Sequence, residues 1–252
     1  MKPKVWFTAG HLIIYGAALD TDEHQHNALQ IVWPIQASRL KLENTILKEP
    51  VVIAANVQHR LTMELGWIIL VEPQSGIGEA LMSFLNGLDF QILKSLPAQT
   101  PAKNDDLSTT TIPIQLLSQL WEAMQITWNQ TILYENLIPS KLDKRIAHLQ
   151  SKLNACFKDE CVKPEHWRAV DVATELKLSE GRFRHLFRQE MGIAWRPYLL
   201  WRRLLCAVSA IKKGRTATEA AYIAGFSDSS HLSRTFRRTF GLTIRQAVAL
   251  FE

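Results

Sequence analysis

The sequence holds only three cysteines, Cys156, Cys161 and Cys206. That is too few for a disulfide scaffold and suits a reducing compartment, so a cytoplasmic protein is expected. No stretch approaches the ~18 consecutive apolar residues that a membrane-spanning helix needs. Catalytic signatures that can be read from spacing are also missing. There is no phosphate-binding loop, no GxGxxG, no HExxH and no convincing nucleophile elbow. These absences argue against an enzyme and imply no cofactor. The N-terminus loosely mimics a targeting signal, because Lys2 and Lys4 precede a mostly apolar run from Val5 to Leu19. His11, Tyr15 and Gly16 interrupt that run, and its Val, Ile, Trp and Phe content suits a strand.

Charge is distributed unevenly. Residues 139–252 carry 21 Lys and Arg against 11 Asp and Glu, a net of +10, while the first 138 residues carry 8 against 13, a net of −5. A basic half beside an acidic half suggests that only the former meets a polyanion. A basic solvated surface would look the same by count, so the pattern of the basic residues has to decide.

The first 94 residues read as a small β-domain. Val5 to Ala18, Ala28 to Ile35, Leu40 to Ile46, Val51 to Ala55 and Trp67 to Val71 are rich in Val, Ile and Trp and are separated by short polar turns. Their close spacing predicts a sandwich or barrel, followed by a short helix from Gly78 to Leu85. Ser95 to Pro113 is rich in Pro, Ser, Thr and Asp and reads as a linker. Beyond it, Ile114, Leu117, Leu120, Trp121, Met124 and Trp128 recur at helical spacing. Residues 95–138 are therefore assigned as a linker with an interdomain helix, whose stripe is either internal core or a dimer surface. Residues 139–252 read as about seven helices. The fold class expected is α+β, a β-sandwich or barrel followed by an all-α domain.

Two segments of the helical half resemble each other. Leu178-Ser179, Phe183, Phe187-Arg188 and Gly192 are echoed by Phe226-Ser227, Leu232, Phe236-Arg237 and Gly241, with Phe183, Phe187 and Gly192 offset by 49 residues. Each segment offers a Ser as helix N-cap, apolar residues four apart on one face, and a Gly as the stop. Each follows a short helix with a small residue, Ala173 in one case and Ala220 with Ala221 in the other, and Gly225 suits a tight turn. Helix, short turn and second helix form a helix-turn-helix, whose second helix enters the major groove of DNA. The reading helices are predicted at 179–191 and 228–240. Arg182, Arg184, His185 and Arg188 line the polar face of the first. Ser229, Ser230, His231, Ser233, Arg234, Arg237 and Arg238 line that of the second. Arg reads guanine bidentately, and hydroxyl residues reach base edges or phosphates. A linking helix of about 19 residues spans ~28 Å, which suits two reading helices near one DNA turn, ~34 Å, apart.

These residues resemble the AraC/XylS family of bacterial transcription regulators. The stretch that carries the resemblance runs Ala220-Ala221-Tyr222-Ile223-Ala224-Gly225-Phe226-Ser227-Asp228-Ser229-Ser230-His231-Leu232-Ser233-Arg234-Thr235-Phe236-Arg237-Arg238 and ends at Phe240-Gly241. It extends over about Ser140 to Glu252. The resemblance implies that Gly181, Arg184 and His185 occupy base-reading positions in the first element. It implies the same for Ser229, Ser230, His231, Ser233 and Arg234 in the second. Lys177 departs from the pattern, standing where the family often has Gly in the first turn, and Gly181 offers no side chain to a base. Expected partners are double-stranded DNA, a second copy of the chain and RNA polymerase, with an effector of unknown identity.

In the N-terminal domain, His24-Gln25-His26, Gln30 and His59 resemble the cupin pattern, in which two His, a carboxylate and a later His hold a metal. Such domains commonly serve the regulators as effector-sensing modules, so these four residues are the candidate effector site. Gln30 replaces the carboxylate, and the glycines usual around the second motif are missing from Val51 to His59. The expectation is therefore no bound metal, with the histidines packing or hydrogen-bonding. Metal held by His24, His26 and His59 is the alternative, and it would accompany a cupin-type metal-dependent enzyme with a helical appendage. Cys156, Cys161 and His166, at successive spacings of five, read as isolated cysteines with a surface histidine.

Overall fold

Side chains alternate across a strand, so a strand covered on both faces needs apolar residues at every position, while a half-covered one alternates. Both kinds occur here. In the computed structural model, residues 4–8, 10–16, 18–93, 118, 120–122, 124, 142–158 and 167–249 are described, with the side chains of 7, 8 and 155–158 set aside. By their contacts the residues fall into two compact units, residues 1–137 with 235–252, and residues 138–234.

Among the described residues, ten strands form two antiparallel sheets. They are β1 (Lys4–Thr8), β2 (His11–Tyr15), β3 (Leu19–Asp20), β4 (Leu29–Pro34), β5 (Ser38–Leu42), β6 (Thr45–Leu47), β7 (Val51–Ile53), β8 (His59–Met63), β9 (Gly66–Val71) and β10 (Phe90–Ile92). The larger sheet runs β1-β2-β9-β4-β7-β10 and the smaller β3-β8-β5-β6. The apolar run expected as one strand from Val5 to Ala18 is a hairpin, with Lys4 opposite Tyr15 and Thr8 opposite His11. β8 and β10 were not foreseen. β8 alternates in burial, with His59, Leu61 and Met63 inward and Arg60 and Thr62 outward.

The central strands β4 and β9 are buried almost throughout. Leu29, Ile31 and Trp33 of β4 and Trp67, Ile69 and Val71 of β9 share a core with Ile77, Leu81 and Leu85 of helix α1 (Gly76–Leu85). Ser75 caps α1 by accepting from the Gly78 amide at 3.0 Å. Leu120, Trp121 and Met124 join the same core, so the described part of the stripe that begins at Ile114 packs internally. Ile114, Leu117 and Trp128 lie outside the described residues, as does the 95–113 linker. Gln30 and Val32 occupy the opposite face of β4, which is also buried, and there Gln30 meets His59 of the smaller sheet.

The helical part comprises α2 (Lys144–Lys158), α3 (Ala169–Glu175), α4 (Glu180–Met191), α5 (Trp195–Lys212), α6 (Ala217–Ile223), α7 (Ser229–Phe240) and α8 (Ile244–Ala249). Ile146, Leu149 and Leu153 of α2 pack with Val172 and Ala173 of α3 and with Phe183, Leu186 and Phe187 of α4. Trp195 closes this core, its ring edge-on to Phe183 and Phe187 at 5.4 and 5.0 Å. Cys206, buried in α5, is disulfide-bonded, which corrects the expectation of reduced cysteines. The side chains of Cys156, Cys161 and His166 lie outside the described residues. No described helix is long and apolar enough to cross a membrane.

Candidate nucleic-acid interface

The two helix-turn-helix turns are built bond for bond alike. After α3, the Lys177 amide donates to the Thr174 carbonyl at 3.1 Å and the Leu178 amide to Ala173 at 2.8 Å. After α6, the Gly225 amide donates to Tyr222 at 2.9 Å and the Phe226 amide to Ala221 at 2.8 Å. The residue at the bend is left-handed in both, with φ 56° at Lys177 and 74° at Gly225. Ala173 and Ala221 are buried, as the close crossing of two short helices requires. Each turn also sends one apolar residue inward, Leu178 in the first and Phe226 in the second.

The reading helices differ at their starts. Ser179 caps α4 by accepting from the Arg182 amide at 3.3 Å. In α7 the cap is Asp228, whose carboxylate accepts from the His231 amide at 2.7 Å, so the assignment of Ser227 to that role is corrected. Ser227 instead donates to Asp228 at 2.9 Å and lies 3.1 Å from His231 Nδ1. A carboxylate at this end also suits the positive pole of the helix. The amide of His231 and the Ser227 hydroxyl hold the Asp228 carboxyl below its ordinary pKa. Both helices stop at a left-handed glycine, Gly192 and Gly241, whose amides donate to Arg188 and Arg237 at 2.9 and 2.8 Å.

With Phe183, Leu186, Phe187 and Met191 turned inward, α4 presents Gly181, Arg182, Arg184, His185 and Arg188 to solvent. Glu180 already holds Arg184 in an ion pair one turn away. With Leu232 and Phe236 inward, α7 exposes Ser230, Ser233, Arg234, Arg237 and Arg238. Ser229 and His231 are half-buried, and the His231 ring stands edge-on to Phe226 at 5.2 Å. Arg237 donates to the Asp22 carboxylate at 2.6 Å.

The candidate effector residues of the β-domain also come together. His24 and His59 face each other in a two-way backbone bridge, both bonds 2.9 Å long. Their rings lie 4.3 Å apart, and His26 is 5.3 Å from His59. All three histidines and Gln30 are buried. Burial pulls the pKa of His24 down to about 4 and that of His59 to about 3, and it lowers that of His26. Burial thus disfavours the charged form of all three rings.

Residues 172–249 match a helix-turn-helix domain family. The HTH-type transcriptional activator RhaS from two strains of Escherichia coli is 28% identical over 176 residues, which is 64% of this chain. The match spans 63% of the length of those relatives. Across nearly the whole chain the fold is that of ToxT from Vibrio cholerae. Apo ToxT aligns with TM-score 0.52 at 12% identity over 96% of this chain and 98% of its own. A second crystal form gives 0.50 at 13% over 99% of each. The C-terminal region is a helix-turn-helix domain.

In this helix-turn-helix domain the two departures noted in the sequence have different consequences. Lys177 does not reshape its turn, since it takes the same left-handed conformation as Gly225 despite its side chain. Gly181 sits in open space, with nothing within 4 Å of where a Cβ would stand. Two functional arginines escaped the sequence reading. Arg202 of α5 is 4% exposed and donates to the Leu153 carbonyl at 2.7 Å and to Asn154 at 3.0 Å on α2. Arg203, its neighbour, donates to the Ala224 carbonyl at 2.9 Å and to that of Gly225, with its guanidinium 4.4 Å from the Phe226 ring centre. One residue therefore fastens α5 to the first-element bundle, and the next fastens it to the second turn. The available signal was two adjacent arginines in an otherwise apolar stretch, Tyr198 to Ile211.

Proposed function

We propose that this protein is a sequence-specific DNA-binding transcription regulator that reads two successive major-groove segments with α4 and α7. The observation that carries the reading is the pair of turns with matching hydrogen bonds, each leading into a helix that exposes Arg beside Ser or His. A monomer with two such helices, linked by an 18-residue α5 about 27 Å long, contacts two groove segments on one DNA face. Arg182, His185 and Arg188 supply the first set of contacts, and Ser230, Ser233, Arg234 and Arg238 the second. Arg184 and Arg237 join once their acidic partners release them. The identified relatives are named as activators, and activation through RNA polymerase by a homodimer in the cytoplasm is part of the proposal. The β-domain, at residues 1–94, is assigned the regulatory role, the DNA-reading domain is assigned to 139–252, and the segment between joins them.

The test is selection of bound sequences from random DNA with the full chain, run beside Arg234→Ala. A defined motif is expected, with discrimination lost at one base position in the variant, at a cost of ~1–3 kcal/mol there. Affinity should fall steeply with salt as phosphate contacts release counterions. Absence of any enriched motif at moderate salt overturns the reading.

A further inference from the structure

Three polar groups are sealed into the apolar face of the larger sheet. Trp6 of β1, Tyr15 of β2 and Trp67 of β9 are each at most 2% exposed. Among the described residues nothing accepts from Nε1 of Trp6 or of Trp67, and nothing bonds to the Tyr15 hydroxyl. The three rings belong to one cluster. Tyr15 stands opposite Trp67 in the β2–β9 register, with ring centres 4.3 Å apart, and the Trp6 ring stacks on that of Trp67 at 5.9 Å. Trp33, Trp121 and Met124 share this core. Gln30 and the histidines that meet it lie on the other side of the sheet, so the aromatic cluster is separate from them.

Buried indole N–H and phenol O–H groups ordinarily find acceptors, and one left without loses its hydration with nothing in return. Phenylalanine would fill similar space without that cost, so three such donors in one cluster are poor packing. They suit recognition instead, since small-molecule sites are mostly apolar with a few polar groups that orient the ligand. An indole only donates, and burial raises the pKa of Tyr15, so its phenol keeps its hydrogen. The complement is therefore an acceptor, and the surroundings decide its charge. No described Lys or Arg of the β-domain is buried, and Lys4, opposite Tyr15 on the edge strand, is half-buried. A carboxylate would be enclosed without a counter-charge, which is costly, whereas a carbonyl oxygen needs only the donors.

We propose that Trp6, Tyr15 and Trp67 form a binding site for a small, planar, uncharged molecule that presents carbonyl oxygen. The aromatic rings match its flat faces and the three donors its oxygen. A carbonyl oxygen has two lone pairs, so a lactone, with its second oxygen, can engage all three donors. Leu120, Trp121 and Met124 rest on the same core, so a ligand there bears on the segment that joins the β-domain to the DNA-reading domain. That consequence rests on the proposed function, whereas the binding itself does not.

The test uses the full chain, 15N-labelled at tryptophan, with no DNA present, so its outcome is independent of DNA reading. The probes are coumarin, a planar lactone, and 1-indanone. Indane serves as the same ring system without oxygen, and 2-naphthoate as a planar carboxylate. Coumarin and 1-indanone are expected to bind saturably and to move the Trp6 and Trp67 indole N–H resonances downfield, as each gains an acceptor. Indane should bind about fivefold or more weakly than 1-indanone, and 2-naphthoate more weakly than coumarin. Tyr15→Phe should weaken coumarin binding about three- to tenfold. In the ligand-free variant, amide exchange of β2 and β9 should be no faster than in the parent, because the lost hydroxyl had no partner. If neither coumarin nor 1-indanone moves the two resonances, or if indane binds as well as 1-indanone, the proposal is overturned. Tighter binding of 2-naphthoate than of coumarin overturns the uncharged class. Faster exchange in ligand-free Tyr15→Phe, with the parent's indole resonances already downfield before any probe, means that enclosed water satisfies the donors, and it overturns the site as well. Should Tyr15→Phe fail to fold, the resonance shifts and the indane comparison on the unaltered chain still decide.

Discussion

Replacing Lys177 with glycine isolates the cost of one backbone conformation. Lys177 holds φ 56° in a turn whose hydrogen bonds match those around Gly225 at φ 74°. A residue with a Cβ loses about 1–2 kcal/mol in the left-handed region. Glycine returns about 0.5–1 kcal/mol of that through the greater freedom of its unfolded chain. Lys177→Gly should therefore stabilise the first helix-turn-helix by about 0.5–1 kcal/mol. The chain has two compact units, so a single melting temperature is a poor readout. Native-state hydrogen exchange of the α3 and α4 amides reads the element itself, and protection there should rise about two- to fivefold, which is the same free energy expressed as a ratio. Gly225→Ala is the mirror experiment and should lower protection of α6 and α7 by a similar factor. Both are measured without DNA, because Lys177 is exposed and its charge also bears on phosphate affinity. If Lys177→Gly leaves α3–α4 exchange unchanged, or speeds it while the circular dichroism stays native, the left-handed turn carries no strain and the argument is wrong.

Other expectations follow from single contacts. Arg203→Ala removes two hydrogen bonds to the second turn and a cation over Phe226, and it should destabilise that element by about 2–3 kcal/mol in denaturant unfolding. Arg203→Lys should recover less than half, since an ammonium cannot span two carbonyls as the guanidinium fork does; full recovery would show that charge alone matters. Asp228→Ala should cost about 0.5–2 kcal/mol as a lost N-cap, whereas Ser227→Ala should cost less, and the reverse order would restore Ser227 as the cap. Asp22→Asn breaks an exposed ion pair worth at most about 1 kcal/mol and frees Arg237, so fluorescence anisotropy at low salt should show DNA affinity rising by up to about fivefold. A fall in affinity would mean that the pair supports reading instead of competing with it.

What the sequence made legible was local and periodic. The helices of the C-terminal half fall within a few residues of their predicted bounds, because Phe183 and Phe187, or Leu232 and Phe236, repeat at helical spacing between a cap and a glycine. The β-domain was legible as a class but not strand by strand. Val5 to Ala18 is apolar on both sides of Gly10, so hydropathy alone hides the hairpin. His59-Arg60-Leu61-Thr62-Met63 alternates as a strand should, but its first inward residue is a histidine, which reads as polar. The cap of α7 was ambiguous because Ser227, Asp228, Ser229 and Ser230 are all good capping residues, and only the backbone path selects Asp228.

Contacts distant in sequence were the least legible, and they matter most to the site. Arg202 and Arg203 are adjacent, so about 100° of helix turn separates them, and one reaches α2 while the other reaches the α6–α7 turn. No property of the dipeptide says which does which. The histidines show the same limit in another form. Their types and spacing suggested a metal site, and Gln30 in place of a carboxylate argued against one. Neither consideration reveals that backbone carbonyls of Asp22, Ala28 and Val57 meet the three Nδ1 atoms, or that Gln30 Oε1 lies within hydrogen-bond reach of both His26 and His59, because those contacts depend on how β4 and β8 come together.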